Sequence, residues 1–221
     1  EKAEAIIGIE DNKPKAIDAL SFECNGNNRI NVMPLSTRYP QGGERRLISS
    51  VTGRQINSHI LPADAGVIVL NIATIIAIYE AVKMNMPLVH RVVTLTGDGV
   101  NEPGNMDVPL GISHKYLADE CGGIKDSTVK IISGGPMMGM AMNSLDYPVI
   151  KTSSSILAIT HDDVEKMETS ACIRCGRCVA ACPETLVPQL MAQAVINKNY
   201  EQFEKLYGME CIECGCCTYV C

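Results

Sequence analysis

The first 85 residues alternate between short apolar runs and amphipathic stretches, the pattern of strands separated by helices. The run AIIGIE (Ala5–Glu10) reads as a buried strand. NKPKAIDALSF follows, with a proline near a helix start and Ile17 and Leu20 at i, i+3 spacing. RINVMPL predicts a second strand, closed at Pro34. GGERRLISSVTGR reads as a glycine turn entering a helix, with Gly53 near its end. GVIVLN (Gly66–Asn71) is expected to be a third strand, and Ile72 to Val82 the helix after it. Alternation of this kind predicts a partly parallel sheet covered on both faces.

From residue 86 the rhythm changes. PLVHRVVTLTG is strand-like and DGVNEPGN is a turn-rich loop. SHKYLADECGG reads as one helix, with Ser113 as N-cap and Gly122 as stop. TVKIISGGPMMGM is a strand running into a glycine loop. Short strands, one helix and many turns fit a small β-grasp-like module up to about residue 160. Beyond it, Val187, Leu190, Met191, Ala194 and Val195 fall on one helical face. Tyr200, Phe203 and Tyr207 continue at similar spacing after a break near Asn197–Asn199. The predicted divisions are therefore 1–85, 86–160 and 161–221.

Composition narrows the field. With no Trp and two Phe among 221 residues, the core must rest on aliphatic side chains and Met. A net charge of −6 without a Lys/Arg block argues against nucleic acid as a partner. No apolar run reaches the ~20 residues that cross a bilayer, and nothing resembles a secretion signal. The chain opens without Met and ends on a cysteine of ligand-like spacing, so a part of a longer protein is expected.

The cysteines carry the chemistry. Nine of the eleven lie between Cys172 and Cys221. CIRCGRCVAACP begins at Cys172 and CIECGCCTYVC ends at Cys221. Both follow C-x2-C-x2-C-x3-C, the two-cluster ferredoxin spacing. Zinc takes two C-x-x-C pairs and has no use for further cysteines in each run. Three thiolates on a tight loop can cap one iron cubane, while the fourth starts the next element and points to the other. This assigns Cys172, Cys175, Cys178 and Cys221 to one [4Fe–4S] cluster, and Cys211, Cys214, Cys217 and Cys182 to the second. Cys216 is extra, since only Cys217 keeps both spacings. Gly176 and Gly215 let backbone N–H groups approach the sulfides. Cys24 and Cys121 are isolated and read as structural, and the four histidines form no ligand set.

Further segments carry a resemblance. AIIGIEDNKP, YPQGGERRLISSVTGRQI, LPADAGVIVLNIATIIAIYEAV, VVTLTGD, CGG and ISGGPMMG, followed by the cysteine runs, resemble the C subunit of the Rnf complex, the ion-translocating ferredoxin:NAD oxidoreductase. The resemblance implies an α/β plus α+β chain of three parts. These are an incomplete Rossmann-like FMN/NADH-type domain related to the complex I flavoprotein subunit, an SLBB β-grasp-like module, and a helical two-cluster ferredoxin domain. The family's glycine-rich loop, which helps bind FMN and NADH, would lie upstream of GIEDNK.

The resemblance also implies site residues. Gly42, Gly43 and Glu44 match the segment that faces flavin and nicotinamide; a plain helix start is the other reading. Asn71 and Thr74 match a flavin-contact turn, with simple capping as the alternative. Glu10 and Asp11 end a strand, where α/β folds place ligands, or form a solvated turn. The implied function is electron relay between NADH/FMN and a ferredoxin-like Fe–S partner subunit, through two [4Fe–4S] clusters. It would take place in a complex that moves Na+ or H+ through other membrane subunits, with this chain peripheral on the cytoplasmic face of the plasma membrane. Two alternatives stay open: a soluble flavin/Fe–S dehydrogenase subunit, and a non-catalytic scaffold braced by clusters.

Overall fold

The computed structural model describes residues 3–165, 167, 168 and 170–221. The chain divides into two compact units, Glu1–Val69 with Phe203–Cys211, and Leu70–Gln202 with Ile212–Cys221.

The first unit begins with β1 (Ala5–Glu10), α1 (Pro14–Glu23), β2 (Ile30–Leu35) and α2 (Glu44–Thr52). β1 and β2 pair in parallel, from Ala5 opposite Ile30 to Glu10 opposite Leu35. The crossover is α1, which opens at Pro14, where a missing N–H costs nothing. α2 ends where Gly53 takes a left-handed φ of 72°. Leu35 at the end of β2 and Ile48 in α2 are buried apolar anchors of this unit. These elements match the sequence expectation, but the third strand does not form. Val67–Leu70 carries no ladder, and Ile68 is 78% exposed. An apolar run becomes a strand only beside a neighbour with free N–H and C=O groups, and among the described residues this sheet stops at two strands.

The second unit opens with α3 (Ile72–Met84), capped by the Asn71 side chain. It continues with β3 (His90–Thr96), β4 (Gly104–Pro109), α4 (His114–Glu120), β5 (Lys130–Ser133), β6 (Met140–Met142) and β7 (Ser155–Ile159). These strands form one mixed sheet in the order β4-β3-β7-β5-β6. Only the β3–β7 pair is parallel. Alternation along β3 and β7 points Val93, Leu95, Ile156 and Ala158 inward, against Leu117, Ala118 and Cys121 around α4. Ser113 Oγ accepts from Tyr116 N at 3.3 Å, and Gly122 follows the helix in left-handed geometry. Cap and stop thus stand where the sequence placed them. Cys121 is a buried core thiol, 3.7 Å from Met106 Sδ.

The cysteine region adds α5 (Arg177–Ala181), α6 (Pro188–Ile196), α7 (Tyr200–Lys205), a 3-10 turn at Gly208–Glu210 and α8 (Cys216–Tyr219). Helices therefore join the two cysteine runs, as expected. The apolar stripe on α6 is narrower than predicted: Met191 and Ala194 are buried, while Leu190 and Val195 stay nearly half exposed. Of the three aromatic positions that follow, Phe203 turns inward, its ring against Gly208, and Tyr200 and Tyr207 face outward.

Candidate electron-transfer site

The two cysteine loops share one backbone. In the first, Arg174 has φ 57° and Gly176 φ 78°; in the second, Glu213 has φ 53° and Gly215 φ 78°. Each loop therefore makes two left-handed turns, one on either side of its second cysteine. Glycine adopts such a φ freely, while other L residues do so at a cost. Each loop then enters a short helix at once, with Ala180 N bonded to Gly176 O at 3.1 Å and Tyr219 N to Gly215 O at 3.0 Å. The third cysteine of each run, Cys178 or Cys217, is the second residue of that helix. α5 packs on α8.

None of the eleven cysteines is joined in a disulfide. Among the described residues, no three His, Cys, Asp or Glu side chains gather closely enough to hold a single metal ion. Cys182 Sγ accepts a hydrogen bond from Leu186 N at 3.4 Å, the kind of N–H···S contact that supports a coordinating sulfur. Cys178 Sγ lies 3.2 Å from Gln189 Oε1. Burial pushes the Cys216 thiol up to about 11, helped by Cys214, Cys217 and Cys182 around it. Cys182, from the first run, is near enough for its sulfur to act on the Cys216 thiol. The donor set is all sulfur, presented on paired tight loops, and fits two iron–sulfur clusters. The Met-rich loop between β5 and β6 lies against the second cysteine loop: the carbonyl of Met137 is 3.2 Å from where a Cβ on Gly215 would stand.

The other candidates lie in two places. In the first unit, Gly43 caps α2 without a side-chain acceptor, so the first-turn N–H groups face outward. A Cβ on Gly42 would meet nothing within 4 Å, so this turn is open to close approach. Glu44 is the first residue of α2 and is exposed. At the end of β1, Glu10 pairs with Lys13 at 2.8 Å. Asp11 accepts from the Thr37 hydroxyl at 2.6 Å and from Thr37 N at 3.1 Å, and these bonds hold its carboxyl below the usual range. Asn71 and Thr74 belong to the second unit. There Asn71 Oδ1 accepts from Ala73 N at 3.0 Å, so its side chain serves as the helix cap, and Thr74 is half-buried in the first turn.

One polar group escaped the sequence reading. Glu210, next to Cys211, accepts from Ser58 N at 2.8 Å, from Ser58 Oγ at 2.7 Å and from Arg45 at 3.0 Å. The Ser58 hydroxyl and backbone N–H, with Arg45 beside them, hold this carboxyl below its ordinary range. The one local signal was a carboxylate directly preceding a ligand-spaced cysteine.

Three family models match in succession. Residues 1–80 match the Nuo51 FMN-binding domain, 92–141 the SLBB domain and 165–221 the 4Fe-4S dicluster domain. The chain is 50% identical over 188 residues to the C subunit of the proton-translocating ferredoxin:NAD(+) oxidoreductase complex of Clostridium ljungdahlii. It is 42% identical over 187 residues to the C subunit of the Na(+)-translocating ferredoxin:NAD(+) oxidoreductase complex of Acetobacterium woodii. It is 39% identical over 188 residues to the C subunit of the ion-translocating oxidoreductase complex of Rhodobacter capsulatus. This chain is a relative of these C subunits. The matches take in 84–85% of the chain but only 41%, 42% and 36% of those relatives, so it spans less than half of their length.

In this relative of the ion-translocating complexes' C subunits, all nine cysteines of the two runs fall inside the dicluster match. Glu10, Asp11, Gly42, Gly43, Glu44, Asn71 and Thr74 fall inside the FMN-binding match. Among the described residues, no helix is long and apolar enough to cross a membrane.

Proposed function

We propose that the chain relays electrons in an ion-translocating ferredoxin:NAD+ oxidoreductase complex, between NADH/FMN and a ferredoxin-like Fe–S partner subunit. The observation that carries this is the left-handed cysteine loop, repeated in both runs. The ligand sets are Cys172, Cys175, Cys178 and Cys221 for one cluster, and Cys211, Cys214, Cys217 and Cys182 for the other. When bound, two [4Fe–4S] clusters supply one-electron carriers, and FMN the exchange between a hydride pair and single electrons.

The chain's own residues do the rest. Gly176 and Gly215 supply the left-handed backbone that turns each loop into its helix. Leu186 N donates to the Cys182 sulfur, and Met137 packs against the Gly215 loop. Both raise the definition of the ligand shell and lower its polarity, two of the terms that set a cluster's potential. Gly42, Gly43 and Glu44 offer an open helix start to a planar, anionic cofactor. Glu10 and Asp11 border it as strand-end carboxylates, and Asn71 and Thr74 form a second contact turn.

The chain is read as three modules, 1–85, 86–160 and 161–221, of Rossmann-like, β-grasp-like and helical ferredoxin character. The parallel β1–α1–β2 unit and the mixed sheet with its single helix support this. The complex would hold the chain peripherally on the cytoplasmic membrane face, ion movement belonging to other subunits.

The test is NADH-driven reduction in the isolated membrane complex, followed by low-temperature EPR. Cluster signals that appear with NADH, and fail to appear when Cys175 and Cys214 are both replaced, are expected. Signals untouched by that replacement would sink the proposal. Full-length protein without flavin would sink the NADH site and spare the relay. Copurification with membranes that is lost on stripping the partner subunits is expected; a chain that never copurifies with membranes while those subunits are present would favour the soluble dehydrogenase alternative.

A further inference from the structure

We infer that Arg45, Ser58 and Glu210 form a polar clasp that positions Cys211 as a cluster ligand and ties it to the helix bearing the candidate flavin segment. The inference rests on the proposed role of Cys211. Its basis is the network itself, which lies wholly within the first unit. Glu210 closes the 3-10 turn, and the next residue is Cys211. Both carboxylate oxygens are engaged, Oε2 by Ser58 N and Arg45 and Oε1 by the Ser58 hydroxyl. The partners lie 152 and 165 residues away in sequence. Arg45 also reaches the Glu210 backbone carbonyl at 3.4 Å, so it holds the peptide that leads into Cys211 as well as the side chain.

The geometry at the other end gives the clasp its meaning. Arg45 is the second residue of α2, directly after Glu44 and two residues after Gly43. One side chain thus joins the helix start proposed to face flavin with the residue preceding a proposed cluster ligand. Both members of the ion pair are roughly three-quarters buried, with side chains 22% and 23% exposed. The pair is therefore better shielded than a surface salt bridge, and losing one partner strands the other charge. A ligand's supporting contacts fix its direction, and their loss typically costs about 10–100-fold in retention of the bound group.

The chain's first cysteine loop has no counterpart to this arrangement in its sequence: Glu210 precedes Cys211, whereas Ala171 precedes Cys172. The clasp therefore acts on one cluster of the two, and a merely structural role would not make that distinction.

The experiment uses the full chain, loaded anaerobically with iron and sulfide. Iron release to a chelator is followed together with the EPR spectrum of the reduced protein. Glu210→Ala is expected to release about half of the iron ~10-fold faster than wild type, with the other half unchanged. Arg45→Met should do the same, and Arg45→Lys should restore most of the retention by keeping the charge. The Glu210→Ala, Arg45→Met double variant should be no worse than the more damaging single one, because the two act as a unit. Equal acceleration for both clusters would mark general destabilisation and overturn the clasp. So would variants indistinguishable from wild type. Wild-type chain that takes up no iron would sink the proposed function itself, an outcome separate from either.

Discussion

Gly176 and Gly215 hold equivalent places in the two cysteine loops, each at φ 78°, but their surroundings differ. An added Cβ at Gly176 meets nothing within 4 Å, whereas at Gly215 it stands 3.2 Å from the Met137 carbonyl and 3.7 Å from its methyl. Replacement by alanine therefore separates two costs. At Gly176 the cost is conformational alone, about 1–2 kcal/mol for an L residue in left-handed backbone. If the folded loop is what retains the cluster, that is roughly a 5–30-fold faster release of iron. At Gly215 the same strain applies, and a backbone carbonyl must also give way, adding on the order of 1 kcal/mol or more. Asparagine tolerates the left-handed region better than alanine. Gly176→Asn should thus recover part of the loss, while Gly215→Asn should not, because the clash begins at Cβ. The assay is chelator-driven iron release from anaerobically loaded protein, compared across the four variants. Release rates unchanged by either alanine, or Gly176→Ala worse than Gly215→Ala, would refute the view that these backbones hold the ligand loops and that Met137 packs on the second.

Other expectations follow from the fold. An alanine at Gly97 would place its Cβ 1.9 Å from the Ala158 carbonyl oxygen at φ 112°. Gly97→Ala should therefore cost about 2–5 kcal/mol, read as a lower urea midpoint by circular dichroism. Gly104→Ala, where the new methyl meets nothing within 4 Å, should leave the midpoint nearly unchanged. The hydrogen bond and charge of Asp107 raise the pKa of His90 above its ordinary 6.5. The stability this gives is complete below that value and is lost as pH rises through the raised one, so Asp107→Asn should flatten melting temperature between about pH 6 and pH 8. Cys216→Ser should retain the iron content of wild type, since Cys217 alone keeps both cysteine spacings; loss of half the iron would show that Cys216 is the ligand.

What the sequence made legible depended on how local the cause was. The α1 and α4 boundaries were readable because Pro14, Ser113 and Gly122 act on their own turns. β7 was not read at all, because its partners are β3 and β5, and the register with β3 joins Thr94 to Ser155. Gly66–Asn71 failed for the converse reason: a good apolar run was present, but no ladder received it. The α6 stripe was overread because helical spacing marks a face without saying how much of it a neighbour covers. The cysteine ligand sets could be proposed from spacing, since an iron–sulfur loop is itself a local device. The Glu210 clasp could not, because it joins residues 152 and 165 positions apart, and nothing in either segment announces the other. At Asn71 the capping that the sequence offered as the alternative is present, its Oδ1 accepting from Ala73 N.

The most direct test is the metal content of the chain prepared without oxygen, with EPR of the dithionite-reduced protein. Two cubanes predict ~8 iron and ~8 sulfide per chain, and a spectrum broadened by two interacting S = 1/2 centres. Zinc, disulfides or unligated thiols at the eight cysteines would contradict the account.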